Sequence, residues 1–175
     1  SLKINGYQII NGYSDLISPF LGAVGGDIGC TGWWSNLRIF SMDRFAPEAT
    51  GGRLPVQRYL STKLLNRFTF YELGALGLII PNVANELPMD EKYEGEPERS
   101  IEVLQSWEAL SSLLAIITAS GDSSKNLEKC AEAIKSAEDL YTSIKARYRL
   151  DAKSDDTHLE PLQEGMNLFK KRAEI

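Results

Sequence analysis

Residues 27–40, DIGCTGWWSNLRIF, place a thiol, two hydroxyls, an amide, two indoles and a guanidinium on one short segment. A strand that ends near Thr31 leaves backbone N–H groups free at its carboxyl edge, where ligands of parallel α/β units gather. Gly32 would let a ligand approach the main chain, Trp33 offers a face for a planar ring, and Arg38 can hold phosphate or carboxylate with two parallel N–H donors. Trp34, Ser35 and Asn36 fall at the same edge. The plainer reading makes Gly29 and Gly32 a turn and the tryptophans a cover for the core. It carries more weight, because no recognised fingerprint accompanies the glycines.

A second cluster lies downstream. Thr50, Gly51, Gly52 and Arg53 in EATGGRLP invite a phosphate-loop reading, but the lysine and spacing of a P-loop are missing and Pro55 follows at once. A surface turn accounts for it better. Taken together, Arg38, Arg44, Arg53 and Arg58 with Trp33, Trp34 and Tyr59 mix cations and rings, the combination that holds single-stranded nucleic acid. The same arginines would also suit an acidic partner, including the second half of this chain.

Other catalytic chemistry is thinly supplied. His158 is the only histidine, so a histidine-dependent triad or a multi-histidine metal site would have to use it. Cys30 could act as a nucleophile, but a small buried strand residue is the simpler expectation. Asp15 and Asp27 are the candidate paired carboxylates; Asp15 reads better as an acid at a helix N-terminus, and Asp27 as the exit from a glycine turn. No spacing implies a cofactor or a metal.

The charge distribution points to the same region. Net charge is -5, which disfavours non-specific coating of nucleic acid. Residues 1–80 nonetheless carry seven Lys/Arg against five Asp/Glu, and residues 81–175 twelve against nineteen. Between Arg38 and Arg67 there are six basic and two acidic side chains, so an anionic small molecule should meet the chain there. The apolar and charged fractions, 43% and 25%, are those of a globular domain. Cys30 and Cys130 allow one disulfide at most, which is not a framework, and this favours a reduced, cytoplasmic setting. The most apolar run, ALSSLLAIITA, falls short of a membrane span, so no membrane partner is expected.

The elements that must position these residues begin with a β-α-β pattern. YQIING (7–12) is a strand, SDLISPFLGAVGG (14–26) a helix closed by Gly25 and Gly26, and DIGCTGWW a second, parallel strand. Residues 41–58 read as a basic loop. A helix is expected from about Ser61, with Leu60, Leu64, Leu65, Phe68 and Tyr71 on one face and fraying at Gly74 and Gly77. GLIIPNVANELP reads as a buried extended crossing, and residues 86–99 as an acidic, solvated linker.

From residue 100 the period becomes helical. Val103, Trp107, Leu110, Leu114 and Ile117 form one seam; Leu127, Cys130, Ile134, Ala137, Tyr141, Ile144 and Tyr148 form a second; Leu159, Leu162, Met166, Phe169 and Ala173 form a third. Thr157 with Glu160 has the spacing of a capping box, and Gly121 stands where a helix should close. The expected fold is therefore mostly α, with a small βαβ (α/β) N-terminal part and a C-terminal three-helix antiparallel assembly. The expected division is a βαβ-plus-helix region over 1–85, the linker over 86–99 and a helical bundle over 100–175.

The order YQIINGYSDLISPFLGAVGGDIGCTGWW resembles the closing βαβ segment of TIM-barrel proteins over residues 4–40, with ING ending one strand and GGDIGCTGWWSNLR forming the last. The resemblance implies a phosphate-bearing ligand near Gly12, Tyr13, Thr31, Gly32 and Arg38. A barrel needs eight such units and the chain has room for one, so the resemblance also implies a piece of a longer protein. The start at Ser-Leu-Lys, without methionine, agrees with that expectation.

Two functions fit these observations. One is a non-catalytic or carboxyl-terminal module whose helices mediate protein–protein contacts, with a protein partner or homo-oligomer implied. The other is part of a TIM-barrel-type enzyme that binds a phosphate- or nucleobase-containing substrate through loops 31–38 and 50–58. The candidate binding residues are Gly12, Tyr13, Thr31, Gly32, Trp33, Arg38 and Arg53. The strength of the seams and the scarcity of catalytic side chains favour the first.

Overall fold

The computed structural model describes residues 2–33, 38, 40–45, 55–81, 83–93, 95 and 97–173, leaving aside the side chains of 43 and 44. Arg53, Trp34, Ser35, Asn36 and the turn expected at 51–52 lie outside the described residues. The chain is mostly helical, with two small two-stranded sheets.

The β-α-β unit forms as its pattern requires. Strand β1 (Ile10–Gly12) pairs in parallel with β2 (Ile28–Cys30), with Ile10 opposite Ile28 and Gly12 opposite Cys30. Helix α1 (Ser18–Ala23) crosses between them after a 3-10 turn at Asp15–Ile17. Pro19 sits in its first turn, where no N–H is needed. Gly25, at φ 98°, makes the left-handed step that ends the crossover. Cys30, expected to be buried, is exposed: β2 is open along its whole length.

The segment expected to be a helix from Ser61 is instead an antiparallel hairpin. Strand β3 (Arg58–Ser61) pairs with β4 (Asn66–Thr69), Tyr59 opposite Phe68, through a turn at 62–65 in which Leu65 takes φ 50°. Helix α2 (Phe70–Ile79) starts only after Thr69, whose side chain and that of Glu72 form a reciprocal capping box. Tyr59, Leu60, Leu64, Leu65 and Phe68 are all fully buried, so the segment has no solvent face to reveal its period. Side-chain amides complete the hairpin. Gln105 accepts from the Leu60 N–H at 3.0 Å and donates to its carbonyl at 2.9 Å; Asn85 donates to the same carbonyl at 2.7 Å and accepts from the Thr62 N–H at 2.7 Å.

Three helices follow: α3 (Arg99–Thr118), α4 (Ser123–Lys145) and α5 (Leu159–Ala173). Every residue of the α4 seam from Leu127 to Ile144 is buried. Asp122 caps α4, accepting from the Ser124 N–H at 2.8 Å, while Gly121 takes φ 67° in the turn before it. The α3 seam is rotated from expectation: Leu113 is buried in the core, while Leu114 is partly exposed beside Gly22 of α1. Among the described residues, α3 is the one helix long and apolar enough to cross a membrane by length and composition, and nearly half of that stretch is packed inside the protein.

The acidic segment does not behave as a solvated tether. Tyr93 is 6% exposed, and Asp90 accepts from the Tyr59 hydroxyl at 2.9 Å. A single apolar cluster runs from Phe20 through Leu64 and Phe68 to Ile134, Tyr141 and Met166, so the regions over 1–85 and 100–175 share one core.

Candidate anion-binding pocket

Arg38, expected at an exposed rim, is 3% exposed. Its Nε and Nη2 reach the carbonyls of Gly32 and Trp33, both at a long 3.4 Å, and its Nη1 has no hydrogen-bond partner. Among the described residues no carboxylate lies within 4.0 Å of it. Burial, then repulsion from Arg67, lowers its pKa, with Asp15 and Glu102 pulling the other way. A buried cation with an unsatisfied donor is costly.

Arg38 lines a pocket of about 440 Å³ that also holds Arg58, Arg67, Arg99 and Lys153. Four elements bring these cations together. The β3–β4 hairpin supplies Arg58 and Arg67 from facing strands, the first turn of α3 supplies Arg99, and the loop between α4 and α5 supplies Lys153.

Three of the cations are spoken for. Arg67 grips Asp15 with two parallel bonds, at 2.5 and 2.8 Å. Asp15 itself takes φ 35°, a left-handed backbone that Asp enters more readily than most residues. Arg58 donates to Asp151 at 3.0 Å and to the Ser154 hydroxyl at 3.0 Å. Arg99 pairs with Glu102 at 2.8 Å and also donates to the Pro55 carbonyl. Among the described residues, Arg38 and the Lys153 ammonium carry no ion pair.

The Lys153 side of the wall is held from behind by Glu72, which is 4% exposed. Its carboxylate accepts from the Asp151 N–H and the Ser154 hydroxyl, each at 2.7 Å, and from the N–H and hydroxyl of Thr69, each at 2.9 Å. Burial pushes its pKa up, but these hydrogen bonds outweigh burial and leave it below the usual glutamate range. Sequence reasoning missed Glu72; the one signal that could have drawn attention to it is the Thr69–Glu72 spacing, which is that of a capping box.

The other candidate residues are dispersed. Gly12 and Tyr13 are exposed at the end of β1, with Tyr13 edge-on to Phe40 at 6.0 Å. Thr31 lines a separate cleft between α1 and α3, and its Oγ1 has no partner. The Gly32 and Trp33 carbonyls receive Arg38, which is how they touch the pocket. The Trp33 ring is 40% exposed and stands edge-on to Trp107 at 5.4 Å. Tyr59 is buried with its hydroxyl bonded to Asp90, which removes it as a stacking face. His158, expected at an exposed helix turn, is half-buried against Tyr141, and burial lowers its pKa. Asp27 is occupied by the Ile9 N–H at 2.8 Å and by Lys3.

The α4 seam is closed inside the chain's own core from Leu127 to Ile144, whereas the α5 seam is buried only at Leu159 and Met166. An open apolar groove of about 560 Å³ lies between α1 and α5, lined by Ile17, Leu21, Val24, Leu162 and Phe169. Comparison with protein-family models, with curated proteins and with solved structures finds no match to this chain, so the reading of its function rests on the pocket itself.

Proposed function

We propose that this protein is a binding domain for a small anionic molecule, held in the arginine pocket. The observation that carries the reading is Arg38: a guanidinium 3% exposed, without an ion pair, beneath a pocket walled by three further arginines and a lysine. An anion there would meet Arg58, Arg67, Arg99 and Lys153 directly and would neutralise the charge of Arg38 below them. The resemblance of residues 4–40 to a TIM-barrel terminus points the same way, since it calls for a phosphate-bearing ligand near Arg38. A reduced, cytoplasmic setting is part of this reading, with Cys30 and Cys130 as free thiols.

Arg38→Met tests this, because methionine fills the buried space without charge, whereas alanine would leave a cavity. In wild type, inorganic phosphate at ten times its dissociation constant should add about 1.4 kcal/mol of stability. Arg38→Met should lose most of that response while unfolding in urea no more easily than wild type without phosphate. A variant that still responds fully to phosphate, or that loses several kcal/mol without it, would return Arg38 to a purely structural role.

A second reading keeps the helices as a contact surface for another copy of the chain. The open α1–α5 groove favours it, with Ile17 45% exposed at its edge. Sedimentation of wild type and Ile17→Lys decides it: a dimer that becomes a monomer supports self-association, and a wild type that is monomeric throughout refutes it.

A further inference from the structure

The charges around the pocket discriminate between kinds of anion. Arg67 with Asp15, Arg58 with Asp151 and Arg99 with Glu102 are each neutral as pairs. Among the described residues Arg38 and Lys153 are left without an ion-pair partner, one buried below the pocket and one at its solvent side, while the Glu72 carboxylate behind the wall is taken up by four hydrogen bonds. A carboxylate or a phosphodiester brings one negative charge and leaves the other cation uncompensated. A phosphate monoester in its dianionic form brings both charges on one tetrahedral group with three terminal oxygens. Arginine side chains present paired donors to such oxygens, and the low-dielectric floor at Arg38 magnifies the penalty for an unmatched charge.

We propose that the pocket selects the dianion of a small-molecule phosphate monoester over singly charged anions. This rests on the reading of the pocket as an anion site. The volume of about 440 Å³ and its arginine walls suit a compact phosphorylated molecule.

Calorimetric titration of the whole chain tests the selection, with phenyl phosphate, dimethyl phosphate, acetate and a short phosphoserine peptide as probes. At pH 7.5, phenyl phosphate should bind at least tenfold more tightly than dimethyl phosphate or acetate. Its affinity should fall about tenfold by pH 5, because the second ionisation of a monoester lies near pH 6. Arg38→Met, which leaves Lys153 as the one cation of the pocket without an ion pair among the described residues, should narrow the preference for phenyl phosphate over dimethyl phosphate severalfold. Equal binding of phenyl and dimethyl phosphate, or a pH-independent affinity for phenyl phosphate, would overturn the dianion selection and leave the anion site standing. Binding of none of the four probes would overturn the anion site itself. A phosphoserine peptide that binds more than tenfold more tightly than phenyl phosphate would overturn the small-molecule assignment.

Discussion

Glu72→Gln probes the scaffold behind the pocket. One Glu72 oxygen accepts from Thr69 N–H, the Thr69 hydroxyl and the Ser154 hydroxyl; the other accepts from the Asp151 N–H. A glutamine can serve only one side. With its oxygen toward the three donors, its amide N–H₂ confronts the Asp151 N–H, and that donor loses its partner at a cost of about 1–3 kcal/mol. The three retained bonds lose the assistance of the charge, so the total comes to about 3 kcal/mol. In a domain of this size each kcal/mol moves the melting temperature by roughly 2–4 °C, so a drop of about 6–12 °C is expected. The effect should depend on pH with a definite sign. The Glu72 pKa is lower folded than unfolded, so its stabilisation is present above about pH 4.3 and is lost as pH falls through the folded value. Urea unfolding followed by circular dichroism should therefore show a wide gap between wild type and Glu72→Gln at pH 7 that narrows below about pH 4. Phosphate affinity should weaken as well, because Asp151 and Ser154 hold Arg58 in the pocket wall. A gap under about 1 kcal/mol at pH 7, less than a single unmade buried bond costs, would refute this account. So would a gap of constant size across the acid range.

Asp15→Asn should cost about 3–5 kcal/mol by leaving Arg67 with a weakened partner in a half-dry site, read by thermal melting. The same variant should bind phosphate more tightly, because one acid is removed from the pocket. In thiol labelling, exposed Cys30 should react rapidly, whereas Cys130, whose pKa burial pushes up to about 11, should react only on unfolding. Rapid labelling of both would contradict the packing of α4. Ile134→Asp places a charge at a fully buried position of the α4 seam and should abolish cooperative folding, not merely association. A folded Ile134→Asp protein with native circular dichroism would refute that placement.

Much of the architecture is local and was open to inspection in the residue order. The α4 seam steps through Leu127, Cys130, Ile134, Ala137, Tyr141 and Ile144 because one face of that helix is buried along its length, and a one-sided environment writes its period into the sequence. The β-α-β unit is marked at its ends by residues with special backbone demands, such as Gly25. The hairpin at Arg58–Thr69 carries no such record. Its residues are buried from several sides at once, and its outer hydrogen bonds go to Asn85 and Gln105, which are distant in sequence. Only the packing of α3 against β3 decides between strand and helix there. The pocket divides in the same way. Sequence determined that positive charge is concentrated between Arg38 and Arg67, and that Arg38 was the arginine to watch. Tertiary structure decided which charges cancel. Arg67 meets Asp15, Arg58 meets Asp151, and Arg38 is buried without a carboxylate of its own, because ion pairing depends on distances of a few ångströms between residues that lie fifty or ninety positions apart.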